Sequence, residues 1–245
     1  MRVITVTVGR KGPDDESRNR ERLKAAEQAL TRANELEANV IILPAGFFAV
    51  HNSKAREAIA DSLICIAKRL GIGVVFGVDQ AVKDISRNWE SEIRDENLPF
   101  YAYAWSPDDK DSPYCWNQRS IDSNNQRFAP NESCRNVRLI RIGNETLGIL
   151  ICGEIFNPRI LSALAAYHSK PNVIVDLAHR GQRFRVWQGM KKLAQLGFIS
   201  LCSVHASCEY AIKYCYTPEK GRMSTRIPDA SVYGPPRIEL KLWSF

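Results

Sequence analysis

The residue with the strongest claim to covalent chemistry is Cys152, because of what surrounds it. The stretch from Thr146 to Ile160 reads TLGILICGEIFNPRI, a continuous apolar run from Leu147 to Ile151 with Cys152, Gly153 and Glu154 at its carboxyl end. A run of this length bounded by turn signals predicts a strand covered on both faces. On the sharp turn that leaves such a strand, a cysteine projects its sulfur into a crevice beside backbone N–H groups. That is what an acyl-transfer nucleophile needs. The competing reading is a small buried hydrophobe, the commonest use of a free cysteine.

A second set of reactive groups follows another buried run. NVIVDL (residues 172–177) leads into Ala178, His179, Arg180 and Gly181, on the same carboxyl-end rim where open α/β sheets bind ligands. His179 can carry a proton or touch a ligand, and Arg180, Arg183 and Arg185 can hold a carboxylate or phosphate. Solvated arginines at a helix entry are the alternative. His205 reads as a satisfied histidine near the rim, and His51 and His168 as surface or cap positions. Trp187 and the pair Cys115–Trp116 suit packing or a pocket wall.

These groups need a frame. Val3–Val8 alternates and is β-branched, which predicts a first strand, and residues 14–37 have helical spacing at Leu23, Ala26, Leu30 and Ala33. NVIILP (39–44) predicts a second buried strand ending at Ala45, Gly46, Phe47 and Phe48. A helix capped by Asn52 or Ser53 runs to Leu70, with Gly71 closing it. GVVFGV (73–78) is a third strand, residues 79–98 a polar loop, FYAYAW (100–105) a strand and SPDDKDSP (106–113) a turn. A short strand-like piece (114–122), a polar loop (124–135) and a hairpin around Gly143–Asn144 precede the Cys152 strand. After it come a helix over 158–168, the strand at 172–177, a helix over 183–196 with Gly197 as C-cap, a strand at 199–204, and a tail of hairpins ending in a strand at 238–243.

The whole chain bounds the answer further. Its 245 residues, 44% hydrophobic and 25% charged, suit one soluble α/β domain over 1–245 with no linker or repeat. No apolar run is long enough to span a membrane, and MRVITVTVGRKG reads as a strand rather than a signal peptide. Seven cysteines at irregular spacing predict reduced thiols in a cytoplasm. There is no Cys-x-x-Cys or close His pair, and Cys202, Cys208 and Cys215 match no ligand spacing, so no metal is expected. A net charge of +7 can assist an anionic ligand, but no nucleic-acid module is visible.

The element order, with LPAGFF at Leu43–Phe48 and GILICGEIFNP at Gly148–Pro158, resembles the nitrilase, or carbon–nitrogen hydrolase, superfamily over nearly the whole chain. The resemblance implies a four-layer αββα sandwich and hydrolysis or condensation of amide-type C–N bonds and nitriles by a Glu–Lys–Cys set, with a second glutamate positioning the lysine. It implies no cofactor, a small amide, nitrile or anionic ligand, and a homodimer or larger homo-oligomer. Cys152 matches the nucleophile and Glu154 the acid two places on. Gly153 falls at the oxyanion, and Phe48, His179 and Arg180 fall among the expected substrate contacts. The set is degenerate. Ala45 stands where the family has its base glutamate, and Gln118 where it has lysine; a register shift of one puts Arg119 there, and Lys110 is a third candidate. Glu132 matches the second glutamate or is a surface acid. Three accounts follow: a silenced enzyme altered at Ala45, a rearranged set using Arg119 or His179 beside Cys152, or a retired enzyme kept for binding.

Overall fold

Alternation along the strands sorts the core into three layers. In the computed structural model, which describes residues 1–9, 16–80, 99–120, 137–179, 183–205, 214–219, 221–224, 230–232 and 237–245, the first strands are β1 (Arg2–Gly9), β2 (Val40–Ile42), β3 (Phe48–Val50), β4 (Gly73–Gln80), β5 (Phe100–Trp105) and β6 (Tyr114–Asn117). After them come β7 (Leu139–Ile142), β8 (Glu145–Ile151), β9 (Val173–Ala178), β10 (Ile199–His205), β11 (Tyr214–Thr217), β12 (Gly221–Ser224), β13 (Ala230–Val232) and β14 (Arg237–Ser244). The helices are α1 (Asn19–Glu35), α2 (Ser53–Leu70), α3 (Pro158–Ala166) and α4 (Arg183–Gln195).

The strands run in the order β6-β5-β4-β2-β1-β10-β9-β8-β7, with β14 also lying on β1. β1 pairs with β14 along its whole length, but with β10 only through Thr7–Val204 and Val8–His205. At that narrow seam the sheet curls, and its two halves face each other. Val3, Val40, Ile42 and Val75 of one half meet Leu147, Ile149, Ile151, Val173, Val175 and Leu177 of the other in a sheet-on-sheet core. The alternate side chains turn outward, because successive residues of a strand point to opposite faces. Ile4, Val6, Ile41, Val74 and Phe76 pack under α1 and α2, and Leu150, Ile174, Cys202 and Val204 under α3 and α4. The result is a four-layer αββα sandwich, and it explains the near-continuous apolar runs in the sequence.

Local signals end the elements where expected. Asn52 caps α2 by accepting the Ala55 N–H, and Gly71 closes it at φ 67°. Pro158 opens α3 under an Asn157 cap. Two expectations need correction. The polar loop does not begin at Asp79, since β4 runs on to Gln80 because Asp79 pairs with Phe100 of β5. Of the described part of the strand-like piece 114–122, which ends at Ser120, only Tyr114–Asn117 is strand. Between β8 and the helix, which starts at Pro158 as expected, Cys152 opens a 3-10 turn, Cys152–Phe156. Residues 124–135 lie outside the described residues.

Candidate active site

The carboxyl ends of β2, β4, β8 and β9 meet at one edge of the sheet-on-sheet core, and each delivers one part of the site. From β8 comes Cys152, half-buried, held at φ 50°. A non-glycine residue in the left-handed region is a strained conformation that the surroundings must enforce. β9 contributes His179 and β4 contributes Asp79, whose Oδ1 is 2.9 Å from His179 Nε2. At the end of β2, Gly46, at φ 63°, lies so close that a Cβ there would stand 2.6 Å from Asp79 Oδ2 and 3.0 Å from His179 Cδ2. The Phe100 ring packs against the imidazole at 4.6 Å between centroids. His179 is thus held on one side by a carboxylate, on another by a ring, and below by a backbone that only glycine allows.

With Nε2 on Asp79, Nδ1 is the ring nitrogen left for the thiol. Burial opposes ionisation of Cys152, but the charge of His179, its side-chain hydrogen bond and its backbone N–H outweigh burial and the more distant charge of Asp79. They hold the thiol below its ordinary value. Burial likewise opposes protonation of His179, and the negative charges of Asp79 and Cys152, each accepting from the imidazole, outweigh it and raise the imidazole well above its ordinary range. The two shifts have one meaning: the pair favours thiolate and imidazolium. A histidine in hydrogen-bond reach of a cysteine, oriented by a third group, is the arrangement of an activated nucleophile.

Beneath this triad lies a buried ion cluster. Glu154 is fully buried, and its carboxylate accepts from the backbone N–H of Arg119 at 2.6 Å and of Ile151 at 3.2 Å, and from Arg138 Nη1 at 3.0 Å. The Arg119 guanidinium also reaches it, and Arg138 in turn donates to the Asn117 carbonyl. Glu154 ties β6, β7 and the Cys152 turn together.

The structure scatters the other expected groups. Ala45 is 1% exposed within the sheet-on-sheet core. Gln118 is buried, with its Nε2 donating to the Ser120 carbonyl at 2.7 Å. Arg119 and Glu154 belong to the ion cluster, and Gly153 is a buried residue of the Cys152 turn. Phe48 sits in the helix-side core against Phe47 and Phe76. Lys110 is exposed. Glu132 and Arg180 lie outside the described residues. Sequence reasoning missed Asp79, Arg138 and the burial of Asp176; only Asp79 left a signal, an acid at the end of a buried strand.

Residues 187–195 and 216–218 also border a separate opening of about 280 Å³, lined by Trp187, Lys191, Tyr216 and Thr217. It is distinct from the triad.

No family model matches the chain, and no curated protein sequence matches it. Solved structures do. An amidase from Nesterenkonia sp. AN1, described as of the nitrilase superfamily and crystallised as a cysteine-to-alanine mutant, aligns with a TM-score of 0.65 at 14% identity, covering 99% of this chain and 90% of that one. A glutamate-to-glutamine mutant of it, showing Michael addition of acrylamide at the active-site cysteine, gives 0.63 at 14%, covering 98% and 92%. The cysteine-to-alanine form in complex with butyramide gives 0.65 at 14%, covering 99% and 90%. The fold is nitrilase-like.

Proposed function

We propose that this chain is a thiol hydrolase of small amides, in which Cys152 is the nucleophile and His179, oriented by Asp79, does the proton work that a glutamate and a lysine do in the family it resembles. The observation that carries the reading is the Cys152–His179–Asp79 alignment at the strand-end rim, where the thiol is pushed down and the imidazole up. Of the accounts left open by the sequence, it favours the rearranged set, with His179 and not Arg119 beside the cysteine. The nitrilase-like fold and the small amides seen in its structural neighbours support the substrate class.

The chemistry balances. The Cys152 thiolate attacks the amide carbonyl carbon, forming a C–S bond and an oxyanion that faces the Gly153 peptide N–H. His179 gives its proton to the departing nitrogen as the C–N bond breaks, leaving a thioester and an amine or ammonia. Water then attacks the thioester, its proton passes to His179, and the carboxylic acid leaves as the thiolate returns. Asp79 keeps the ring aimed and stabilises the imidazolium, the role of the third member of a triad.

The reading extends to a single domain over 1–245, to a homodimer or larger assembly, and to a cytoplasmic home where the described cysteines stay free thiols. The test is turnover. Incubation with acrylamide, butyramide and related short amides should release ammonia, and Cys152→Ala should abolish release by three orders of magnitude or more. Tight amide binding with no ammonia release would instead leave a silent binding protein on the same fold.

A further inference from the structure

The loop that carries Gly46 leads into β3, a strand of three residues that pairs with β4 alone among the described residues. Phe48, Ala49 and Val50 stand opposite Val78, Asp79 and Gln80. The other edge of β3 is met by a side chain. Asn19, buried in the first turn of α1, donates from Nδ2 to the Ala49 carbonyl at 2.5 Å and accepts the Ala49 N–H on Oδ1 at 3.2 Å. A carboxamide carries a donor and an acceptor side by side, as a peptide does, so it can serve one residue as a neighbouring strand would. Without it the buried Ala49 would lose the partners of both its backbone groups, which a folded chain rarely tolerates. One turn further along α1, the buried Arg22 donates from Nη1 to the Phe47 carbonyl at 2.8 Å.

We infer that Asn19 is a positioning residue for Asp79: its carboxamide fixes Ala49, and through the β3–β4 ladder it fixes the backbone that aims the Asp79 carboxylate at His179. Three observations converge. Asp79 is paired on one side with Phe100 of β5 and on the other with Ala49, the residue that Asn19 grips. β4 ends one residue later, at Gln80, and strand ends fray unless their neighbours are anchored. The same short loop also supports the imidazole directly, since a Cβ on Gly46 would stand against both Asp79 and His179, and Arg22 pins the carbonyl of the next residue. A loop that moved between Phe47 and Ala49 would therefore disturb the carboxylate and the ring together. The inference takes its consequence from the thiol-hydrolase reading, in which Asp79 orients His179, and its substance from these hydrogen bonds and this register.

The experiment reads the imidazole itself, in the full chain. Asn19→Leu removes both hydrogen bonds at similar volume, and Asn19→Ala removes them with no bulk to place, so the alanine variant decides the matter where the leucine variant fails to fold. Amide hydrogen exchange at Ala49 should quicken about fivefold or more, the worth of one hydrogen bond. The His179 ring, followed by NMR through pH, should titrate lower than in the parent, because the carboxylate that favours its protonation is no longer held against it. In an Asp79→Asn background the same substitutions should leave the His179 titration where Asp79→Asn alone puts it, since the path to the ring is already cut. Unchanged exchange at Ala49, or an unchanged His179 titration, would overturn the inference. So would a downward shift that persists at full size in the Asp79→Asn background, which is what a merely structural role gives. A parent that releases no ammonia from short amides counts against the hydrolase reading alone, and the His179 titration still decides the role of Asn19.

Discussion

At the scale of single residues, the site is built from charges that only make sense in company. Glu154 is the clearest case. Two guanidiniums, from Arg119 and Arg138, and two backbone N–H groups converge on one carboxylate that water does not reach. A buried ion pair adds little net stability over a well-packed apolar substitute, but removing one partner strands the rest. Glu154→Gln should therefore destabilise the protein by about 3–5 kcal/mol, read as a lowered urea midpoint with unchanged slope. A change below about 1 kcal/mol would show that solvent or neighbouring groups compensate. Nothing in the sequence distinguished this role: the acid two places after Cys152 looked like a site group by resemblance, and the arginines that claim it lie 16 and 35 residues away.

At the scale of elements, strand ends do the positioning. His179 and Asp79 are 100 residues apart in the chain and meet because β4 and β9 end at the same edge of the facing sheets. Gly46 makes the meeting possible, since its φ of 63° suits glycine and a Cβ would collide with both side chains. Gly46→Ala should cost about 1–2 kcal/mol from the left-handed conformation alone. It should also slow Cys152 labelling at least tenfold, because the imidazole must move. Thermal unfolding and the labelling rate check the two parts separately, and a stability loss with unchanged labelling would mean that the pair tolerates displacement. The strands themselves were legible: Leu147–Ile151, Val173–Leu177 and Gly73–Val78 appeared as buried runs. The extension of β4 to Asp79 was not, because an acid followed by a polar stretch reads as a loop until Phe100 supplies its partner.

At the scale of the whole molecule, the three-layer core gives the fold its legibility and the site its obscurity. Buried strands announce themselves in one dimension through apolar runs, and the motifs at Leu43–Phe48 and Gly148–Pro158 place them in a nitrilase-like order, which the solved amidase structures bear out. Which residues face one another across the rim depends on the curl of the sheet at the β1–β10 seam, and no local pattern encodes that. So Cys152 and His179 are legible in the sequence, and Ala45 and Gln118 depart from the family pattern, but the partnership with Asp79 exists only in three dimensions. The central claim is that this frame carries a thiolate–imidazolium pair, and its pH profile tests that directly. With the thiol lowered and the imidazole raised, the reactive ion pair exists between the two transitions: it is lost as pH falls through the thiol's and, as pH rises through the imidazole's, gives way to a thiolate without its proton donor. Labelling of Cys152 by iodoacetamide, scanned by pH in the parent and in His179→Gln, should show a parent midpoint below the ordinary thiol value of about 8.5, moved upward in the variant. Identical midpoints in the two proteins would contradict the account.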